Sequence, residues 1–182
     1  KTWNIPDVTA IRPLPPPDPG SDEFKKAVDE LEKIQKNLTG EQRRIANWWS
    51  DGLGTYTPPG HWNRFATEFI VKYKMNPLRS ARVYAYLNMA IHDAGISCWD
   101  AKYYYHYPRP IQLFDNFKTI LGTPNFPSYT SGHSTFSAAA ASVLAYIFPA
   151  EKAQVDQWAK EASESRIYGG IHFRFDCEAG LI

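Results

Sequence analysis

An all-α helical bundle is the fold class that this sequence predicts, on three observations. Apolar residues recur at steps of three and four through most of the chain, which is the spacing of a helix face. No segment alternates apolar and polar residues for long enough to predict a strand. Helix-start signals precede the periodic runs at Ser21, at Thr39 with Gln42, and at Asn76 with Pro77. A chain of 182 residues is the size of one domain, and it shows no internal repeat.

Residues 1–20 read as an arm. Leu14-Pro15-Pro16-Pro17-Asp18-Pro19-Gly20 cannot be helical and predicts an extended, polyproline-like segment that wraps the surface or serves as a linker. Residues 21–182 read as one helical domain. Ser21 caps a helix whose apolar stripe is Phe24, Val28, Leu31, Ile34 and Leu38, with Lys and Glu on the solvated face. The Thr39–Gln42 capping box starts a second helix carrying Ile45, Trp48 and Trp49. Asp51-Gly52 and Thr57-Pro58-Pro59-Gly60 read as breaks. A third helix runs through Trp62, Phe65, Phe69, Ile70 and Tyr73, with His61 at its start in a capping or surface role.

Asn76-Pro77 opens a long fourth helix through Leu78, Val83, Leu87, Ala90, Ile91 and Ala94, continuing to about Lys102. Within it His92-Asp93 reads as a buried polar pair with hydrogen-bonded partners. Pro108 and Pro110 stop any helix and hold Arg109 in extended backbone. Residues 111–125 read as a short helix and a loop containing Gly122, Pro124 and Asn125. The stretch from Phe126 to Ser134 is a polar loop feeding an alanine-rich helix to about Ile147. Another helix starts at Pro149 and runs through Val155, Trp158 and Ala162 to a break at Gly169-Gly170. A last helix is expected over His172 to Gly180. The chain stops at Leu181-Ile182 inside an apolar segment, so a further C-terminal part is expected; Lys1 in place of Met suggests a mature or trimmed product.

A net charge of +1 argues against a general binder of nucleic acid or anionic membrane, while leaving room for a few cations gathered in one pocket. No apolar run is long enough to span a bilayer. Cys98 and Cys177 allow one disulfide but read as two buried thiols.

The chemistry-bearing residues fall in three places. Lys102 and Arg109 form the first. Ser131, Gly132 and His133 form the second, at a helix start where free backbone N–H groups and the helix dipole favour an anion. Ser165-Arg166, His172 and Asp176 form the third. The four-residue spacing of His172 and Asp176 puts both on one helix face, where the carboxylate fixes the imidazole tautomer and leaves the other ring nitrogen with a free lone pair. Lys102, Arg109 and Arg166 bring three positive charges suited to a tetrahedral oxyanion.

This ordered pattern resembles the three-part signature of the type 2 phosphatidic acid phosphatase (PAP2) and vanadium-dependent haloperoxidase superfamily, over roughly residues 99 to 180. The resemblance implies a helical bundle of that type. It implies that His172 is a phosphatase nucleophile or the axial vanadium ligand, and that His133 is the acid–base histidine. Lys102, Arg109, Ser131, Gly132 and Arg166 would bind the equatorial oxygens, and Asp176 would orient His172. The run Arg174-Phe175-Asp176 after the histidine is similar to the haloperoxidase branch, and Trp99 and Phe126 match aromatic positions of its halide pocket. Two features depart from it. Thr130 stands where the family has proline, and the interval from His133 to Arg166 is short, nearer to bacterial acid phosphatases. The resemblance thus implies a haloperoxidase using vanadate, hydrogen peroxide and halide. The alternative is an acid phosphatase without a cofactor, hydrolysing phosphate monoesters through a phosphohistidine. A degenerate, non-catalytic binding domain is the third reading. Periplasmic or secreted location follows from the resemblance alone.

Overall fold

The computed structural model describes residues 1–114 and 117–182. Among the described residues it is all helical, with no strand. The helices are α1 (Asp22–Lys36), α2 (Gly40–Trp48), α3 (Thr57–Lys72), α4 (Pro77–Tyr105), α5 (Pro110–Leu113), α6 (Gly132–Ile147), α7 (Lys152–Tyr168) and α8 (Arg174–Leu181). The short helix and loop expected over residues 111–125 are partly outside this description, since 115 and 116 are not covered.

The caps act as their chemistry demands. Ser21 Oγ accepts from Phe24 N at 3.1 Å, and Asn76 Oδ1 accepts from Arg79 N at 2.9 Å. Thr39 and Gln42 exchange both bonds of a capping box, at 2.9 and 3.1 Å. Three boundaries differ from expectation. Pro58 and Pro59 do not break the chain but sit in the first turn of α3, where a missing N–H costs nothing. Pro149 begins a short 3-10 turn, Pro149–Glu151, and α7 follows it at Lys152. His172 lies before α8, not on it.

The helix α6 is central, packed against α3, α4, α7 and α8. Its small residues Ala140 and Ala141 are buried and allow this close approach. Trp49, Trp62, Phe65, Leu87, Leu144 and Val155 form the main core. A second cluster joins Leu31, Tyr107, Tyr129, Ile167, Phe173 and Phe175, and so braces the segment that carries His172. Gly180 lets α8 reach the start of α6. A Cβ there would lie 2.8 Å from Ser131 O and from Ser134 Cβ.

The arm wraps the domain. Asp93 is buried and accepts from Trp3 N and Asn4 N, both at 2.7 Å, whereas His92, expected to be buried with it, is exposed, with Nδ1 3.3 Å from the carboxylate. Arg12 meets Asp100 with two bonds, at 2.7 and 3.1 Å. Tyr105, Tyr129 and Tyr107 donate their hydroxyls to Pro13 O, Leu14 O and Pro17 O at 2.6, 2.6 and 2.9 Å. The arm is not extended throughout, because Val8–Ile11 form a 3-10 turn capped by Asp7. Cys98 and Cys177 are free and buried. No described helix is long and apolar enough to cross a membrane.

Candidate active site

The end of α4, the loop before α6, the end of α7 and the start of α8 converge. Lys102 lies in the last turn of α4 and is fully buried. Its ammonium donates to Pro127 O and Ser128 O, each at 2.8 Å, tying the helix end to the loop. A lysine has three donors, so one N–H is left for a ligand. Burial, with the Arg109 charge adding to it, lowers the Lys102 pKa to about 8. A lysine is charged only below its pKa. Phosphate affinity should therefore fall several-fold as pH rises through about 8, and Lys102→Met should remove that step; calorimetric titration with inorganic phosphate checks both.

Arg109 is extended at φ −78° and ψ 155°, as its flanking prolines require. Its Nε donates to Phe126 O at 3.1 Å and its Nη1 to Ile171 O at 2.8 Å. Nη1 also lies 2.9 Å from His172 Nε2, while Nη2 is buried with no partner among the described residues. Burial lowers the guanidinium pKa to about 10, which leaves it charged at neutral pH. A guanidinium only donates, so His172 Nε2 is the lone-pair nitrogen and Nδ1 carries the hydrogen.

That hydrogen is donated to Asp176 Oδ2, 2.9 Å away. The pairing expected of a shared helix face is present, but its geometry is different. Asp176 sits in the first turn of α8 and reaches back, accepting Phe173 N at 3.0 Å as well. Ser128 Oγ donates to the same oxygen at 2.6 Å, while Oδ1 is buried without a partner. Burial raises the Asp176 pKa to about 6, and the Ser128 and Phe173 donors pull it back down. Burial first, then Arg109 and Lys102, holds the His172 pKa well below 6.5, so its imidazole is neutral.

Ser131 caps α6, its Oγ accepting from Ser134 N at 3.3 Å and its N–H donating to Asp176 O at 2.8 Å. Gly132 and His133 open the helix, so their N–H groups lie in the turn that has no intrahelical acceptor. His133 is neutral too, because burial and then Arg166 hold its pKa well below 6.5. Among the described residues its Nε2 has no hydrogen-bond partner, the Trp49 carbonyl acts on the ring to raise its pKa in part, and Nε2 lies 3.7 Å from Asp51 Oδ2. Arg166, buried in the last turn of α7, donates from Nε to Ser165 Oγ at 2.9 Å and from Nη2 to Trp49 O. Burial lowers its pKa to about 10.

Trp99 and Phe126 meet with ring centroids 5.1 Å apart, and Phe136 joins Trp99 at 6.0 Å. A cavity of about 630 Å³ is bounded by these rings and by Arg109, His133, Arg166 and His172. Thr130 is buried behind it; its Oγ1 lies 3.5 Å from Cys98 Sγ, and the Tyr129–Thr130 peptide is cis.

Three residues at the site were not assigned roles there by sequence reasoning. Ser128 was seen only as loop, and Asp51 only as a break. His61, expected as a cap or surface group, is instead fully buried, with Nδ1 at 3.1 Å from both Asp51 oxygens. One signal was available. His61 and Phe65 are four apart and share the core face of α3, and a core histidine needs a polar partner.

The PAP2 superfamily profile matches residues 82–182, more than half of the chain. The vanadium chloroperoxidase of Curvularia inaequalis is 30% identical over 122 residues, covering 50% of this chain and 20% of that protein. A bacterial vanadium-dependent iodoperoxidase structure superposes with a TM-score of 0.90 at 31% identity, covering 99% of this chain and 52% of that one. A transmembrane PAP2-type phosphatidylglycerolphosphate phosphatase from Bacillus subtilis shares the fold, with a TM-score of 0.59 at 15% identity, covering 96% of this chain and 83% of that one. The chain thus spans about half the length of the iodoperoxidase and a fifth of the chloroperoxidase. It belongs to the PAP2 superfamily, with vanadium haloperoxidases among its relatives in both sequence and structure.

Proposed function

We propose that this chain carries the vanadate site of a haloperoxidase-like enzyme that oxidises halide with hydrogen peroxide. The observation that carries the reading is the neutral His172, whose Nε2 lone pair faces Arg109 while Asp176 holds Nδ1–H. The donor set fits vanadate. Three buried cations, an N-cap hydroxyl and a helix-start amide suit a tetrahedral oxyanion, and Arg109 Nη2 is a buried donor without a partner. His172 Nε2 would hold the metal, with Lys102, Arg109, Ser131, Gly132 and Arg166 around its oxygens. Bound there, vanadate supplies a Lewis-acid centre that activates peroxide toward halide without a redox-active protein group.

The chain's own residues do the rest. His133, neutral and with Nε2 unpartnered, accepts the proton that hydrogen peroxide releases. Trp99, Phe126 and Phe136 supply an apolar wall at which a weakly hydrated halide is accommodated. In the phosphatase reading His172 Nε2 attacks phosphorus, the bond to the ester oxygen breaks, and His133 gives that departing oxygen a proton, releasing the alcohol. Water then cleaves the phosphohistidine. The shared fold of the Bacillus subtilis phosphatase keeps this reading second, and the likeness to vanadium haloperoxidases at 30% and 31% identity favours the first.

The test is a pair of assays. With orthovanadate and hydrogen peroxide, iodination or bromination of a dye should appear. Ester hydrolysis without vanadate, and no halogenation at saturating vanadate, would replace the first reading by the second. Oxyanion binding with neither activity would support a binding domain. His133→Ala should lower halogenation about 10²-fold while vanadate still binds. Loss of binding in that variant would make His133 a ligand.

A further inference from the structure

His61 lies outside the cavity, and no step above uses it. It is 0% exposed, enclosed by Trp48, Trp49, Tyr56 and Phe65, with ring centroids at 5.1, 4.5, 5.2 and 4.8 Å. Among the described residues its one polar partner is Asp51, whose two oxygens are each 3.1 Å from Nδ1. A carboxylate accepts, so Nδ1 carries a hydrogen shared by both oxygens. Nε2 is buried and unpartnered.

Asp51 needs such an anchor. It is a loop residue just past α2, with a left-handed φ of 43°, and its carboxylate is 4% exposed in a wall of the oxyanion cavity. Asp51 already acts on Arg166 as the first charge that offsets its burial, and a closer approach would neutralise a cation that the oxyanion needs. Among the described residues Asp51 forms no ion pair with Arg166. It stands 3.7 Å from His133 Nε2 instead, beyond hydrogen-bond range for a neutral ring and well placed to receive an imidazolium.

We propose that His61 is a positioning residue. By gripping both oxygens of Asp51, it keeps that carboxylate aimed at His133 and short of an ion pair with Arg166. The chain His61–Asp51–His133 parallels the pair Asp176–His172 across the pocket, with the carboxylate now serving the proton carrier. When His133 takes a proton at Nε2, Asp51 supplies the counter-charge that the surrounding arginines Arg109 and Arg166 oppose. The inference rests on His133 acting as the proton carrier.

Two variants test it. His61→Phe keeps the aromatic packing and removes the donor. His61→Asn keeps an amide N–H where Nδ1 was. The chain has five histidines, so long-range proton–nitrogen NMR can follow each ring. In His61→Phe at pH 7 the His133 ring nitrogens should shift while those of His172 stay in place, and His61→Asn should restore them. With vanadate bound, kcat for halide oxidation should fall about tenfold in His61→Phe, with the peroxide KM within about twofold, and recover in His61→Asn. Unchanged His133 signals in a folded His61→Phe protein would overturn the proposal. If that variant does not fold, His133 signals in His61→Asn that differ from wild type would overturn it equally, and wild-type-like signals would uphold it. The ring spectra decide the matter even where no halide is turned over, so failure here is separable from failure of the haloperoxidase reading.

Discussion

His172→Ala should lower turnover at least about 10³-fold in whichever assay the native protein supports, because both readings place the bond-forming atom at Nε2. The fold should survive. Phe173 and Phe175 stay packed at 5.1 Å in their own cluster, and Asp176 keeps the Ser128 and Phe173 donors. Circular dichroism and the melting curve separate the two outcomes. Native-like stability with lost activity is the expected result. Full activity in a folded His172→Ala protein would remove the assignment.

Asp176→Asn should be nearly as severe, on the order of 10³-fold, although it changes one atom type. Oδ2 accepts three donors at once, from His172, Ser128 and Phe173. An amide that turns its oxygen to them places its NH₂ where the buried Oδ1 has no partner, which costs roughly 1–3 kcal/mol. The negative charge opposite His172 is lost either way. Under either reading the native protein should also show an acid limb. Burial raises the Asp176 pKa to about 6, so the carboxylate is an acceptor above that pH and is protonated below it. Activity should therefore fall as pH drops below about 6, and the residual activity of Asp176→Asn should lack that limb. The stability effect has the opposite sign. A raised carboxylate pKa favours the folded state at low pH, and that contribution is lost as pH rises through about 6. His172 and His133, whose lowered pKa values make the folded state lose stability as pH falls through 6.5, act with the opposite sign, so the Asp176 contribution is read from the difference between the native and Asp176→Asn melting profiles.

The cradle was legible because its groups keep a fixed order. Singly, Lys102, Arg109 and Arg166 read as solvated cations and Ser131 to His133 as a helix cap; their order together with His172 and Asp176, and its resemblance to the PAP2 signature, groups them. The helices were legible through their apolar stripes and caps. What escaped depended on direction in space. Four-residue spacing fits a helix face, and it equally fits a residue before a helix met by a first-turn carboxylate. Only the chain path at Phe173 distinguishes the two for His172 and Asp176. Asp51 and His61 are ten residues apart on a loop and a helix, and they meet only when α3 folds onto the end of α2. The arm's course over α4 is written in tyrosine hydroxyls, Tyr105, Tyr107 and Tyr129, which carry no sequence signal for a distant carbonyl.

The central claim is that Lys102, Arg109, Ser131, Gly132, Arg166 and His172 form one pocket for vanadate. Titration with orthovanadate, followed by vanadium-51 NMR, tests it most directly. Native protein should remove the free vanadate signal at one equivalent. Inorganic phosphate should restore that signal by competition, and His172→Ala should bind vanadate much more weakly. A free signal undiminished at stoichiometric protein, or equal binding by His172→Ala, would contradict the account.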